Sequence, residues 1–398
     1  MNLLLVSIDS LRGDHLPRTH PDVATPRFDY LTADFGMAPN CFSVSSATRP
    51  VHLSLVSGLY PFEHGILSQR HSRQRRGLPN LFDACRGAGM SCAAFSEAAE
   101  IFEGLDLGVP VEPLSPGVDG VRQVLSRLGS TPESQCVLLH YWSTHTPYGA
   151  ADGMALGETA DLLASGRLDV VTARYRRAVE EVFERKLAPL IEGLDLARWT
   201  IFVFGDHGES WTASEPYHGQ TLDNTVLHVP LLLHVPFRDN RRFVNRNLVS
   251  LIDLFPTALG LLGVSCDYRG FGRPLWDPAG ENEQYLAQIA PLNGGGTRIE
   301  KPGGVPGKKP GRGLLWALFD EGRKFTYDEE SGTGVLTETL TDRVLESVAK
   351  PRTVAFYAGR YRRLMASSVY SDLPGPMPLE PGQEALIERR LRELGYLE

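Results

Sequence analysis

Cysteine is scarce in this 398-residue sequence: the chain has five, widely scattered and with no Cys-x-x-Cys pair. Neither a disulfide framework nor a zinc–cysteine site is indicated, and a reducing compartment, the cytoplasm, is the expected location. Long apolar runs are also missing, since no stretch approaches the roughly 18 to 20 residues that a membrane span needs. The short apolar run after Met1 lacks the basic segment and cleavage site of a signal peptide and predicts a buried strand.

Positive charge is in deficit, because 40 Lys and Arg residues face 48 Asp and Glu residues and leave a net charge of -8. This balance gives no electrostatic reason to expect nucleic acid as a partner. A small anionic substrate would have to be held by local positive charge, including metal. Hydrophobic residues at 42% and charged residues at 22% are typical of globular domains and exclude disorder of the whole chain. They do not determine an oligomeric state.

Short apolar runs alternate with segments of helical period, which predicts an α/β fold with a mostly parallel central sheet between layers of helices. The predicted strands are 3–8, 91–95, 137–141, 200–204 and 230–235. The predicted helices are 51–57, 80–87, 118–128, 170–190 and 251–262.

Composition changes near residue 276, which predicts a catalytic domain over 1–275 and a smaller C-terminal α+β subdomain over 276–398. Within the second, segment 292–313 is crowded with Gly, Pro and Lys and is expected to be a loop or lid. Strands are predicted at 313–326 and 334–340, around a charged turn at 328–330. A last helix is predicted at 384–394.

Acidic and imidazole side chains follow two of the predicted strands. Asp9 comes directly after the first strand, at the edge where open α/β sheets bind ligands; a turn or capping role is the alternative. Asp206 and His207 follow strand 200–204 between two glycines, which would permit the sharp turns that aim both side chains at one point. Carboxylate and imidazole together suit borderline cations. The sequence predicts a divalent metal (Mn, Zn or Ca) at Asp9, Asp206 and His207.

A threonine lies at the start of the helix predicted at 51–57. Pro50 suits the first helical turn, so Thr48 is expected just before the helix amino terminus, where free N–H groups and the helix dipole favour anions. This is a suitable place for a nucleophile that faces phosphate, although this segment taken alone favours a helix cap at Thr48. A threonine hydroxyl is a poor nucleophile at neutral pH, so the nucleophilic interpretation also makes Thr48 a metal ligand.

Histidines in polar, turn-rich sequence are further candidates. His145 and His218 could bind substrate, protonate a leaving oxygen or ligate metal, whereas His64 could equally be structural. His218 would also suit a second metal, and such a site stays open. The basic run from Arg70 to Arg76 would either clamp an anion or form a solvated loop.

The ordered set of these motifs resembles the sulfatase branch of the alkaline phosphatase superfamily. The resemblance covers nearly the whole chain and implies an alkaline phosphatase-like sheet and a metal-dependent ester hydrolase. It rests on Asp9, Thr48-x-Pro50-x-His52-x-x-Leu55-x-Ser57-Gly58, Gly205-Asp206-His207-Gly208-Glu209 and His218-Gly219.

One departure from that family bears on the chemistry. Sulfatases carry a Cys or Ser that is oxidised to formylglycine, followed by an Arg, whereas Thr48 and His52 stand at those positions here. The resemblance then implies hydrolysis of a phosphodiester, phosphomonoester or phosphonate ester through an intermediate on Thr48, with His145 or His218 assisting the leaving group. The candidate substrate-binding residues are Arg49, His52 and Gln69.

Three alternatives stay open at this point. The first is a phosphoryl-alcohol transferase that uses an acceptor other than water. The second is a sulfuric ester hydrolase that works without formylglycine. The third is a non-catalytic binding protein that keeps the fold.

Overall fold

The computed structural model describes residues 1–16, 18–69, 74–131, 133–149, 156–212, 216–278, 280, 283–291, 313–375 and 389. Its strands are β1 (Asn2–Ile8), β2 (Gly36–Met37), β3 (Cys41–Phe42), β4 (Ser91–Ser96), β5 (Val111–Pro113), β6 (Gln135–Tyr141), β7 (Trp199–Gly205), β8 (Ser210–Trp211), β9 (Pro216–Tyr217), β10 (His228–Val229), β11 (Leu231–His234), β12 (Val249–Ser250), β13 (Tyr285–Ile289), β14 (Leu315–Phe319), β15 (Arg323–Asp328), β16 (Thr333–Glu338) and β17 (Val344–Glu346). Its α-helices are α1 (Pro26–Leu31), α2 (Thr48–Ser57), α3 (Pro61–His64), α4 (Leu81–Gly87), α5 (Gly117–Gly129), α6 (Leu156–Ala164), α7 (Leu168–Glu181), α8 (Ala188–Glu192), α9 (Asn224–Leu227), α10 (Leu254–Leu262) and α11 (Pro351–Ser367). No helix of these described residues is long and apolar enough to cross a membrane.

Seven strands form the central sheet, in the order β2-β11-β7-β1-β6-β4-β5. The five strands from β7 to β5 are parallel, and β11 and β2 extend the sheet with antiparallel pairing. The predicted α/β class with a mostly parallel sheet is confirmed. Because β1 lies between β6 and β7, the three strands end at one edge of the sheet.

The central strands are apolar because both of their faces are covered. Each of the strands β1, β6 and β7 has seven residues, and all of them are buried. In β1, Leu3 and Leu5 belong to one hydrophobic cluster, and Leu4 and Val6 belong to another on the opposite face. This division follows the period of two along a strand and explains why these segments lack polar alternation.

A smaller antiparallel sheet follows, in the order β13-β14-β15-β16-β17. Its residues Leu286, Trp316 and Phe325 belong to the same hydrophobic cluster as Leu3 and Leu5 of the central sheet. Helix α11 covers this sheet, and the rings of Trp316 and Tyr361 are stacked with centroids 4.3 Å apart. The described part of the C-terminal region therefore shares its core with the central sheet, and the proposed boundary at 275/276 stays a prediction.

The C-terminal region differs from the sequence prediction in two places. The prediction of a single strand at 313–326 is wrong, since this segment forms the antiparallel hairpin of β14 and β15. The chain turns between the two strands because Asp320 Oδ1 accepts hydrogen bonds from the backbone N–H groups of Gly322 and Arg323. Helix α11 was not predicted, since only Tyr357 and Tyr361 of its residues are buried. Segment 292–312 and nearly all of the predicted helix 384–394 lie outside the described residues.

A buried glutamate joins the region after α2 to the C-terminal segment. Glu63 is fully buried and accepts hydrogen bonds from Ser368 Oγ at 2.6 Å and from the backbone N–H of Tyr60 at 2.8 Å. Burial raises the pKa of Glu63 to about 7, although both hydrogen bonds act to lower it. The native protein therefore binds this proton more tightly than the unfolded chain.

We expect the free energy of unfolding to fall as pH rises through about 7, because the stabilisation by protonated Glu63 is complete only below the carboxyl pKa of the unfolded chain. The loss should be about 2–3 kcal/mol. Urea unfolding between pH 4 and pH 8 measures it. Glu63→Gln should flatten the curve, and Glu330→Gln at an exposed position should not; equal slopes for all three proteins would contradict the assignment.

Candidate active site

The candidate active site lies at the carboxyl edge of the central sheet, beyond the ends of β1 and β7. Ser7 of β1 is paired with Phe204 of β7, so Asp9 and Asp206 emerge side by side. Both are fully buried. The backbone N–H of Asp9 donates to the carbonyl of Tyr141 at 2.9 Å, which also holds Asp9 against the end of β6.

Three side chains at this edge have the composition of a metal site. One ligand atom each from Asp9, Asp206 and His207 lies within 4.8 Å of the others. His207 Nδ1 is 2.9 Å from the carbonyl oxygen of Gly208, so Nδ1 carries the proton and Nε2 presents its lone pair to the site. Thr48 Oγ1 is 3.2 Å from both His207 Nε2 and Asp9 Oδ2. The residues predicted as metal ligands and as nucleophile are thus adjacent, while their roles stay predictions.

The carboxylate of Asp9 is well supplied with partners. It accepts a hydrogen bond from Ser10 Oγ at 2.7 Å and one from Thr48 Oγ1, and His140 Nε2 lies 3.3 Å from its Oδ2. Burial acts to raise the pKa of Asp9, but His140 and the neighbouring histidines outweigh burial and lower the pKa far below its ordinary value. Asp9 is therefore charged in the native protein.

The carboxylate of Asp206 is incompletely satisfied. Its Oδ1 accepts from the backbone N–H groups of Ser10 at 3.1 Å and His207 at 2.8 Å, but its buried Oδ2 has no hydrogen-bond partner. Burial, and then the charge of Asp9, raise the pKa of Asp206 well above its ordinary value. A buried oxygen without a donor is costly. Two facing carboxylates, an imidazole and a hydroxyl form a donor set that fits a divalent cation such as Zn or Mn.

Thr48 is the first residue of α2 and not the residue before it, since Ala47 is the N-cap. The expected anion-binding N–H groups are also partly used. The backbone N–H of Arg49 donates to Gln69 Oε1 at 3.1 Å, and Pro50 has no N–H to offer. The amino terminus of α2 consequently orients Thr48 more than it supplies donors to an anion.

The glycines around Asp206 serve close packing and not the sharp turn expected from the sequence. Neither Gly205 nor Gly208 has a positive φ. A Cβ atom on Gly205 would come within 2.4 Å of the carbonyl oxygen of Leu11, and one on Gly208 within 2.1 Å of the carbonyl oxygen of Thr225. Any side chain at either position would displace the loop that carries Asp206.

The two candidate acid–base histidines lie on the other side of His207. The ring centroids of His207 and His218 are 4.3 Å apart, and those of His218 and His145 are 5.0 Å apart. His218 Nδ1 is 3.0 Å from Glu209 Oε1. Burial acts to lower the pKa of His218, but the charge of Glu209 outweighs it and raises the pKa. Burial lowers the pKa of His145 to about 3, so His145 is neutral.

The three candidate substrate-binding residues are all buried. The guanidinium of Arg49 donates to the carbonyls of Ile101 and Glu103, and its Nε and Nη2 have no partner. Gln69 has no hydrogen-bond partner for its Nε2. His52 is fully buried, and its Nδ1 is 2.9 Å from the carbonyl oxygen of Thr48. Contact of these residues with substrate stays a prediction.

The basic run is only partly described, since residues 70–73 lie outside the described ranges. Arg75 donates from Nη1 to the carbonyls of Ser371 at 3.1 Å and Leu373 at 2.9 Å. This arginine therefore contacts the C-terminal segment, and a role of the basic run in clamping substrate stays a prediction.

His140, the penultimate residue of β6, was missed by the sequence analysis. It pairs in register with Ser7 of β1, which places it beside Asp9. One ligand atom each from His52, His140 and Asp206 lies within 4.8 Å of the others and forms a second group of potential ligands. The available signal was a histidine one residue from the end of the strand, directly after the apolar run 136–139.

A buried ion pair supports the loop that carries His145. Lys186, in a π-helical stretch between α7 and α8, contacts Glu97 Oε1 and Ser143 Oγ. Glu97 Oε2 accepts from the backbone N–H of Trp142 at 2.9 Å and from Ser143 Oγ at 3.0 Å. The ring of Trp142 is stacked on His145 with centroids 3.6 Å apart. The pair thereby fixes the platform beneath His145.

We expect Lys186→Met to lower the free energy of unfolding by about 3 kcal/mol, because the largely buried Glu97 would lose its charged partner. Urea unfolding measures the loss. Glu97→Gln combined with Lys186→Met should recover most of it, since no charge is then left unpaired. Lys350→Met, which breaks an exposed pair with Glu346, should cost below about 1 kcal/mol. Equal losses in the buried and exposed single variants would refute the prediction.

Two family models match parts of the sequence. Residues 118–264 match the sulfatase family, and residues 3–83 match the family of type I phosphodiesterases and nucleotide pyrophosphatases. No curated protein matches the sequence.

Several solved structures are similar over nearly the whole chain. The phosphonate monoester hydrolase of Agrobacterium radiobacter is 18% identical, with a TM-score of 0.69 over 96% of this chain and 100% of that one. A 2-O GAG sulfatase, BT1596, is 12% identical, with a TM-score of 0.70 over 96% of each chain. The lipoteichoic acid synthase LtaP from Listeria monocytogenes is 16% identical, with a TM-score of 0.62 over 94% of this chain and 93% of that one. The chain therefore has the alkaline phosphatase-like fold that sulfatases and phosphonate monoester hydrolases share.

Proposed function

We propose that the protein is a metal-dependent hydrolase of phosphate-type esters that acts through a covalent intermediate on Thr48. The observation that carries the proposal is the position of Thr48 Oγ1, 3.2 Å from both Asp9 Oδ2 and His207 Nε2. A hydroxyl between a carboxylate and an imidazole lone pair is placed to lose its proton and act as a nucleophile.

The charge of the site supports the need for a cation. Asp9 and Asp206 face one another, and Glu209 is also buried nearby. The charge of Asp9, and those of Asp206 and Glu209 when they are ionised, would repel an anionic ester, so a divalent cation held by Asp9, Asp206, His207 and Thr48 would reverse the sign. When bound, such a cation would supply Lewis-acid stabilisation of anionic oxygens and favour the ionised hydroxyl of Thr48.

Thr48 would act as the nucleophile and His218 as the general acid. Thr48 Oγ1 attacks phosphorus and the bond to the leaving oxygen breaks, which leaves the phosphoryl group on Thr48. His218, whose charged form is stabilised by Glu209, is better suited than neutral His145 to donate the proton to the leaving oxygen. Water then attacks phosphorus and gives a proton to the now neutral His218 while the bond to Thr48 Oγ1 breaks, which restores ionised Thr48 and protonated His218.

Threonine at position 48 favours phosphorus over sulfur chemistry, because formylglycine forms from Cys or Ser. The resemblance to a phosphonate monoester hydrolase supports the same choice, while the resemblance to a GAG sulfatase keeps sulfate esters as a competing class. A panel of nitrophenyl phosphate monoester, diester, phosphonate and sulfate tests the assignment on metal-stripped protein resupplied with Mn, Zn, Ca or Mg. We expect phosphorus esters to be cleaved. Fastest turnover of the sulfate would overturn the proposal.

A further inference from the structure

Helix α11 packs on the smaller antiparallel sheet through one face. Tyr357 and Tyr361 on this inner face are buried, and the rings of Tyr357 and Phe325 are stacked with centroids 4.7 Å apart. The opposite face of the helix, its outer face, is exposed to solvent, as the helical period requires. The outer face of α11 includes Arg352, Ala355, Phe356, Arg362, Arg363 and Ala366. It therefore combines three arginines with an exposed aromatic ring.

The charged side chains of this helix have one sign. Segment 350–371 contains five basic residues and no Asp or Glu, although the whole chain has a net charge of -8. Lys350, the first of the five, lies 3.8 Å from Glu346, which offsets its charge. Arg362 Nε donates to the carbonyl of Ala358 in its own helix, at 3.2 Å, and stays charged without a counterion there. Most of the positive charge of α11 is therefore directed at solvent.

Large apolar side chains are exposed within and beside the same helix. Phe356 is 55% exposed, and Val348 before the helix and Val369 after it are 74% and 53% exposed. The guanidinium of Arg360 lies over the ring of Phe356, 5.3 Å from its centroid. Exposed apolar groups beside arginines are typical of helices that lie on a lipid surface, where the ring enters the headgroup boundary and the guanidinium reaches phosphate.

We propose that the outer face of α11 binds the surface of an anionic lipid bilayer and attaches the protein to it peripherally. Its positive charge is complementary to acidic headgroups, and Phe356 with the two flanking valines would enter the boundary between headgroups and acyl chains. The charge alone would also attract nucleic acid. The exposed valines favour lipid, because nucleic acid is bound through basic, polar and aromatic groups. The proposal does not depend on the chemistry of the active site.

Flotation of the full chain with lipid vesicles tests the proposal. The wild type should bind vesicles of equal parts phosphatidylcholine and phosphatidylglycerol, and not vesicles of phosphatidylcholine alone. Raising the salt from about 0.1 M to about 1 M should release it, because the Debye length falls from about 10 Å to about 3 Å.

A pair of charge-reversed variants locates the binding surface. Arg362→Glu combined with Arg363→Glu should weaken binding at least about 25-fold, since each basic residue near an anionic surface contributes about fivefold. Arg241→Glu combined with Arg242→Glu is the matched control, because it changes the net charge equally at two exposed arginines far from α11 in sequence. The control should bind nearly as tightly as the wild type.

A second measurement distinguishes lipid from nucleic acid. Phe356→Ser should weaken binding to the mixed vesicles, and Phe356→Trp should add a tryptophan emission that brominated lipid quenches. No binding of the wild type to the mixed vesicles, or equal losses in the two double variants, would overturn the proposal. Binding to duplex DNA as tight as that to the vesicles, with no effect of Phe356→Ser on either, would also overturn it and assign the outer face of α11 to nucleic acid.

Discussion

Thr48→Ala is expected to lower kcat for the best phosphorus ester by at least about 10⁴-fold, because the only hydroxyl lying between Asp9 Oδ2 and His207 Nε2 among the described residues is removed. Initial rates with a nitrophenyl ester at saturating metal measure the loss. Folding should be little affected, since Ala47 and not Thr48 is the N-cap of α2.

Thr48→Ser is the matched control for that loss, because it keeps the hydroxyl and should retain measurable turnover. Acid quenching during turnover should also trap a phosphoryl group on Thr48, detectable by mass spectrometry of the peptide that contains it. If Thr48→Ala turned over at the wild-type rate, Thr48 would not be the nucleophile.

Asp206→Asn is expected to abolish metal binding and activity, yet to stabilise the metal-stripped protein by about 1–3 kcal/mol. The stabilisation arises because the substitution removes a buried carboxyl group whose ionisation is disfavoured by burial and by the charge of Asp9, while the amide oxygen can still accept the two backbone N–H groups. Urea unfolding in chelator measures it. Added Zn²⁺ or Mn²⁺ should raise the stability of the wild type only, because a ligand that binds the native state alone stabilises it.

Asp9→Asn is the control, because it should change the free energy of unfolding of the metal-stripped protein in the opposite direction. Asp9 is charged and is held by Ser10, Thr48 and His140, so its neutralisation should destabilise the metal-stripped protein. It should likewise lose metal. Stabilisation by Asp9→Asn, or destabilisation by Asp206→Asn in chelator, would show that the two carboxylates have been assigned the wrong charge states.

The central sheet could be predicted from sequence because its strands are buried on both faces. Such strands are continuous apolar runs, as in β1 and β7, and they stand out against the helical segments between them. The residues directly after them, Asp9 and Asp206, could therefore be placed at one edge without knowledge of the pairing. The order of the strands was not needed for that step.

His140 could not be placed in this way. It lies inside a strand and not after one, so only the register of β6 against β1 reveals that it faces Asp9. The second group of potential ligands comes from α2, β6 and the end of β7, so no pattern within one segment of the chain could indicate it. Contacts between distant segments carry no local signal.

A residue type can be required for two different physical reasons, and the sequence does not distinguish them. Glycine at 205 and 208 was attributed to backbone freedom, but it is required because carbonyl oxygens of Leu11 and Thr225 lie too close for a Cβ atom. Similarly, the hairpin of β14 and β15 was merged into one strand because its turn has only three residues, Asp320 to Gly322. Helix α11 was missed because two buried tyrosines are a weak amphipathic signal.

The distribution of the site over β1, α2, β6 and β7 has a consequence for biosynthesis. Only Asp206 and His207 are neighbours in the chain, so a chain that has been synthesised as far as β6 has one carboxylate and no metal site. Parallel pairing between β1 and β7 closes a loop of about two hundred residues, a slow step in folding. Metal capture should therefore be a late event that reports completion of the sheet, and zinc or manganese supplied early would find nothing to bind.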